Sequence, residues 1–306
     1  MQLGIIGLGK MGGNMARRLR RAGIEVVGFD RDPSIREALA EECGLVAAAA
    51  PRDLVEALDS PRVVWLMLPA GDVTEASVEQ MKGLLAPGDI LVDGANSWFK
   101  DSMRRDASLA ARGIEFVDAG VSGGVWGLEN GYALMVGGSP GAVERLQPVV
   151  AALAPAPDRG WLHTGPAGSG HFVKMVHNGI EYGMMQAYAE GFALMRARAD
   201  WNLDLAGIAE TWRHGSVVRS WLLDLAAGFL ADDQRLEEIE PFVADSGEGR
   251  WTAIEAIEQG VPTPVMSTAL MMRFASQGGQ DYATKVLAKM RQAFGGHATR
   301  EAGETD

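Results

Sequence analysis

Gly7-Leu8-Gly9-Lys10-Met11-Gly12 constrains the first half of this chain more than any other stretch. An apolar run over residues 3–7 leads into it, a helical pattern follows through about Arg21, and residues 25–29 read as a second strand ending at Asp30. In such a strand-turn-helix-strand unit Gly7 allows the tight turn, Gly9 lets backbone approach a pyrophosphate, and Gly12 lets the helix pack closely on the strand. Leu8, Lys10 and Met11 complete a loop that, with the helix N-terminus, faces phosphate. A glycine-rich turn with no nucleotide is the alternative, and the elements on either side speak against it. The prediction is an α/β domain, Rossmann-like and doubly wound, that binds a dinucleotide.

Asp30 stands where an acidic side chain accepts hydrogen bonds from both ribose hydroxyls, and its charge opposes a 2′-phosphate, which favours NAD over NADP. Arg31 would greet such a phosphate, but Asp32 on its other side weakens that case. Helices are expected near residues 34–42, 51–58 and 141–153, and strands at 62–68, 89–93, 114–118, 132–136 and 161–164. The near-continuous apolar run at 62–68 is the pattern of a strand buried on both faces. It ends in Leu68-Pro69-Ala70-Gly71, at the sheet edge where cofactor should lie. From Gly165 the strand pattern stops, and only helical periodicity follows, at about 169–198, 203–213, 217–229, 249–258, 264–276 and 282–294. The change divides the chain into a dinucleotide domain, residues 1–165, and an all-α domain, residues 166–306, with a cleft between domains a favoured place for a ligand.

The chain's 306 residues suffice for two cores, and a net charge of −12 argues against nucleic acid or an anionic membrane as partner. Residues 63–68 are among the longest apolar runs and are far too short to span a bilayer. The N-terminus enters a strand directly, and the single cysteine, Cys43, cannot close an internal disulfide. A cytoplasmic location is expected.

At the domain boundary Lys174, His177, Asn178, Glu181 and Tyr182 recur at helical spacing and share one face. Phe172, Val173, Met175, Val176 and Ile180 supply apolar surface around the rest of that helix. The polar face offers a base, an acid and three hydrogen-bonding groups, which suits catalysis and equally an ordinary polar stripe. No His/Cys/Asp cluster has metal-ligand spacing, and no Ser-His-Asp arrangement is present.

The run GSGHFVKMVHNGIEY, residues 168–182, resembles the signature of 6-phosphogluconate dehydrogenase, the decarboxylating enzyme of the pentose phosphate pathway. The resemblance implies that Lys174 is the base and acid for the hydroxyl being oxidised, its pKa depressed by desolvation, and that Glu181 protonates the enediol. His177, Asn178 and Tyr182 would hold substrate. The loop Gly94-Ala95-Asn96-Ser97 is similar to the family's Asp-Gly-Gly-Asn-Ser segment, so Asn96 would touch both substrate and nicotinamide, with Ala95 a mild departure. Ser122-Gly123-Gly124 resembles the loop that holds the substrate's carboxylate end. Asp30-Arg31-Asp32 differs from the Asn-Arg-Thr usual in NADP-using relatives.

Arg273 aligns with an arginine that contacts the substrate phosphate, although by itself it would be read as a solvated helix charge. In Asp245-Ser246-Gly247-Glu248-Gly249-Arg250-Trp251-Thr252, Ser246 and Glu248 replace a family lysine and threonine, which removes a cation from the phosphate side. Arg291 and His297 match a tail motif that, in long family members, completes a neighbouring subunit's phosphate site. A homodimer or homotetramer is therefore implied, with a phosphosugar acid as substrate. The reaction implied is oxidative decarboxylation of 6-phospho-D-gluconate to D-ribulose 5-phosphate with NAD. A non-decarboxylating 3-hydroxyacid dehydrogenase and a non-catalytic NAD-binding sensor are the alternatives.

Overall fold

The computed structural model describes residues 1–278 and 281–295. Its strands are β1 (Gln2–Ile6), β2 (Glu25–Phe29), β3 (Val46–Ala47), β4 (Val63–Leu66), β5 (Ile90–Asp93), β6 (Glu115–Ser122), β7 (Ala133–Gly138) and β8 (Trp161–Gly165). They form one sheet in the order β3-β2-β1-β4-β5-β6-β7-β8. The first six strands run parallel, β7 pairs antiparallel with β6, and β8 lies parallel to β7.

Between the strands lie α1 (Lys10–Arg21), α2 (Pro33–Cys43), α3 (Pro51–Glu56), α4 (Asp72–Leu84), α5 (Phe99–Ala110), α6 (Gly127–Asn130) and α7 (Pro140–Leu153). The α-helices that follow are α8 (Ser169–Ala197), α9 (Leu205–Arg213), α10 (Trp221–Asp232), α11 (Glu248–Gln259), α12 (Pro264–Ser276) and α13 (Asp281–Gly295). The chain forms two compact units, Met1–His177 and Asn178–Asp306, and α8 runs through the division. Among the described residues no helix is long and apolar enough to cross a membrane.

Strand side chains alternate between the faces of the sheet, so each strand feeds two cores. Leu3, Ile5, Trp65 and Val92 pack with Met15 and Leu19 of α1 and with Leu146 and Val150 of α7. Ile6, Val64, Leu66 and Leu91 pack on the other face with Leu54, Val78, Met81 and Leu109. In the helical unit Leu205, Ala209, Leu223, Ala227 and Leu230 make one cluster, and Tyr182, Ala269 and Leu270 another.

Several features differ from the sequence expectation, among them the short β3 and α6, which it does not contain. The strand expected at residues 114–118 runs on as β6 through Ser122, the first residue of the expected loop, because the antiparallel β7 supplies partners for Gly120, Val121 and Ser122 at Met135, Leu134 and Ala133. The helix expected from residue 217 starts at Trp221, where the Ser220 hydroxyl accepts from Leu223 N–H and caps it. Helices α4 and α5 are not among the expected elements; α5 buries Ser102 and Arg105 beside Leu109, which apolar periodicity does not mark.

Candidate active site

The glycine loop between β1 and α1 is held open by contacts a side chain would destroy. Gly7 sits at φ 92°, and a Cβ there would lie 2.3 Å from the Met67 carbonyl oxygen; one on Gly12 would lie 2.0 Å from the Gly7 oxygen. Around Gly9 nothing lies within 4 Å, which leaves the loop's outer side clear. Lys10 is exposed, Met11 half-buried, and the first turn of α1 holds no acidic residue, so the helix N-terminus is free to receive an anion.

Asp30, at the end of β2, accepts from Leu8 N–H at 2.8 Å and from Asp32 N–H at 3.0 Å. It therefore fixes the loop and still has lone pairs to offer a ribose. Asp32 caps α2 through Ser34, whose hydroxyl and amide hold the carboxyl below its usual range. Arg31 is exposed. Across the sheet edge, buried Thr74 donates to the Pro69 carbonyl at 2.8 Å and steadies Leu68-Pro69-Ala70. Together these residues fit a dinucleotide.

A polar network fixes the next loop. Asp93, fully buried at the end of β5, accepts from Ala95 N–H (2.9 Å), Ser97 Oγ (2.9 Å) and Arg105 Nη1 (2.7 Å). Arg105 also donates to Ser97 Oγ at 3.0 Å and to Glu75 Oε2 at 2.9 Å. Glu75 is held down at about 2, first by its hydrogen bond to Arg104 and then by Arg105. The loop so fixed presents Asn96 at φ 51°, a left-handed conformation that asparagine tolerates better than most residues. Its amide pairs with the Val121 backbone in both directions, Nδ2 to the carbonyl at 3.1 Å and Oδ1 from the N–H at 2.8 Å. Asn96 thus ties its own loop to the strand end that carries Ser122. Gly123 and Gly124 follow at φ 142° and 55°, and Asn14 of α1 holds the next carbonyl, that of Val125, at 3.2 Å.

The start of α8 is built onto the end of the same sheet. Buried Asp118 accepts from Gly168 N–H at 2.6 Å and His171 N–H at 2.7 Å, placing a carboxylate at the helix N-terminus, where the helix dipole favours it. Buried His171 meets Ser102 Oγ of α5 through Nδ1 at 2.7 Å. Where the helix crosses β6 and β7, glycines remove the obstruction. A Cβ on Gly170 would lie 2.4 Å from the Met135 oxygen, and one on Gly120 would lie 2.4 Å from the Cβ of Lys174. Lys174, 5% exposed, is consequently laid across the strand at Gly120. Sequence reading missed Asp118, Ser102, Arg105 and His171 at this site; the signal available was a pair of glycines, Gly120 and Gly170, set in a strand and a helix.

Beyond Lys174 the same face of α8 carries half-buried His177, Asn178 and Glu181 and buried Tyr182. Within the helical unit the guanidinium carbon of Arg273 lies 3.4 Å from the centre of the Tyr182 ring, a cation–π stack. Arg273 also donates to the Ala244 carbonyl at 2.9 Å, so it is anchored to the segment before α11 instead of projecting into solvent. The Tyr182 hydroxyl meets Ser246 Oγ at 3.2 Å, and Ser246 donates to Glu248 at 2.5 Å. Arg250 pairs with Asp245. Arg291 falls in α13, where its side chain is not described, and His297 lies outside the described residues.

Comparison with known proteins matches the profile of the NAD binding domain of 6-phosphogluconate dehydrogenase to residues 2–163 and that of the 6-phosphogluconate dehydrogenase C-terminal domain to residues 170–302. An NAD-dependent, decarboxylating 6-phosphogluconate dehydrogenase from Haloferax volcanii is 43% identical over 97% of this chain and 98% of its own. The solved 6-phosphogluconate dehydrogenase of Plasmodium falciparum superposes with a TM-score of 0.83 at 28% identity, covering 100% of this chain and 67% of that one. A 3-hydroxyisobutyrate dehydrogenase from Salmonella typhimurium superposes with a TM-score of 0.73 at 27% identity, covering 91% of this chain and 95% of that one.

Proposed function

The chain belongs to the 6-phosphogluconate dehydrogenase family, and on that premise we propose that it oxidises 6-phospho-D-gluconate at the third carbon with NAD, releasing carbon dioxide and leaving D-ribulose 5-phosphate. The observation that carries the reading is the placement of Lys174. Its side chain is buried across Gly120, at the sheet edge shared with Asn96 and Ser122, on the helix face that also bears Glu181.

NAD, when bound, supplies the hydride acceptor; all proton movement falls to the protein. Lys174, as the neutral amine, takes the proton of the third-carbon hydroxyl. The ketone formed lies beta to the carboxylate and receives the electron pair as carbon dioxide leaves, while Lys174 returns its proton to the carbonyl oxygen. Glu181, seven residues or about 10 Å of helix axis further on, protonates the first carbon of the resulting enediol. Ser122, Gly123 and Gly124 hold the substrate's carboxylate, and Asn96 touches both substrate and nicotinamide. His177 and Asn178 bind along the substrate, and Tyr182 with Arg273 takes its phosphate end. With Arg291 and His297 supplied by a neighbouring subunit, the working form is at least a dimer; light scattering that finds only monomer in active enzyme would count against this.

The test is absorbance of reduced cofactor with 6-phosphogluconate, with carbon dioxide release followed in parallel. One carbon dioxide is expected per NAD reduced, and inorganic phosphate should compete with the substrate. Reduction without gas, or indifference to phosphate, would favour a 3-hydroxyacid dehydrogenase, the reading to which the Salmonella typhimurium neighbour gives weight. Asp30→Asn tests the cofactor assignment: by removing the charge that opposes a 2′-phosphate, it should raise the NADP-to-NAD ratio of kcat/KM by about tenfold. An unchanged ratio would move the discrimination elsewhere.

A further inference from the structure

The surroundings of Tyr182 in the helical unit do not look like a site built for a dianion alone. The Ser246 hydroxyl donates to Glu248 Oε2 at 2.5 Å. With the serine proton committed to the carboxylate, the contact between the Tyr182 and Ser246 hydroxyls at 3.2 Å is filled by the tyrosine proton. The relay therefore runs from Tyr182 to Ser246 to Glu248 and ends on an acceptor. Arg273 is the cation stacked on the ring, while Arg250, over the neighbouring Phe274 ring, is paired with Asp245. In this cluster two guanidiniums face two carboxylates, and both hydroxyl protons are turned toward Glu248. A dianionic phosphate is best met by free donors and excess positive charge. A carboxylate is met by alcohol groups, which donate to it.

The placement is fixed by the fold. Glu248 opens α11, where the helix dipole stabilises its charge. Gly249 beside it presses on the tyrosine: a Cβ there would lie 2.5 Å from the Tyr182 ring.

Building on the proposed oxidation of a phosphorylated sugar acid, we propose that Glu248 is a specificity-determining residue. Its carboxylate, reached from Tyr182 through Ser246, lowers the enzyme's preference for a terminal dianionic phosphate over a terminal hydroxyl on the same six-carbon acid. Arg273 attracts the phosphate and Glu248 limits that attraction.

The experiment compares kcat/KM for 6-phosphogluconate and for gluconate, with NAD, in the wild type, Glu248→Gln and Ser246→Lys. If gluconate is not oxidised, its inhibition constant is set against the KM for 6-phosphogluconate instead. The ratio between the two acids cancels any loss of folded enzyme. Glu248→Gln keeps the side chain's length and removes its charge, so the ratio is expected to rise about tenfold, chiefly through a lower KM for the phosphorylated acid, and to fall back as salt is raised. Ser246→Lys should move it the same way. A ratio that is unchanged or lower in Glu248→Gln overturns the proposal and leaves the reaction standing. A wild type that reduces NAD with neither acid overturns the reaction itself and this inference with it, and that failure is read in the wild-type measurement alone.

Discussion

Replacing Lys174 by methionine is expected to lower kcat by at least about a thousandfold, the scale on which general acid–base groups act, while leaving NAD affinity nearly unchanged. Methionine is chosen because it is unbranched and close in volume, so it can occupy the passage across Gly120 that the lysine stem now fills. The cofactor loop at residues 7–12 is fixed by Asp30, not by Lys174, which is why binding of NAD should survive. Lys174→Arg provides a second, independent arm. Arginine keeps a long cationic side chain but remains protonated at any working pH, so it cannot accept the hydroxyl proton. The two variants should be similarly inert, measured by NAD reduction with saturating 6-phosphogluconate and by calorimetric titration of NAD. An active Lys174→Arg enzyme would show that residue 174 acts as a fixed charge and would sink the proton-transfer role.

What could be read from sequence follows from how each feature is encoded. The glycine loop, Asp30 and the strands around them are local in the chain, and each residue type answers to a single steric or electrostatic demand, so the βαβ start is read correctly, with β1 and β2 close to their expected bounds. The polar face of α8 is visible because helical periodicity brings residues 174 to 182 together. The frame beneath it is not. Asp118 caps a helix fifty residues further along the chain, and Ser102 reaches His171 across 69 residues, contacts that no local pattern announces. In α5 the buried stripe is Ser102, Arg105 and Leu109, so a search for apolar periodicity passes over it. Gly120 and Val121 look like a loop until an antiparallel partner is supplied by β7. Arg273, taken alone, resembles a solvent-facing charge; only the fold sets it on the Tyr182 ring.

Arg105→Met is expected to reduce the free energy of unfolding by about 3–5 kcal/mol, the cost typical of removing one member of a buried ion pair. Arg105 is 1% exposed and holds two carboxylates at once, Asp93 at the end of β5 and Glu75 on α4. Of these Asp93 decides the magnitude, because it is fully buried, whereas Glu75 is partly exposed and keeps Arg104 as a partner. Without Arg105 the Asp93 carboxylate retains Ala95 N–H and Ser97 Oγ but no positive charge. Loss should not stop at stability, since Asp93 and Ser97 fix the loop on which Asn96 is held in its left-handed conformation against Val121. Lysine at 105 should recover only part of the stability, because a point charge cannot form the planar fork that reaches both carboxylates. Combining Arg105→Met with Asp93→Asn should restore more than either change alone predicts, since the second substitution removes the charge the first strands. Denaturant unfolding of the wild type, the three single variants and the double variant reads this directly. An Arg105→Met midpoint equal to that of the wild type would mean that the network does not support the loop, and Asn96 would then have to be held by its pairing with Val121 alone.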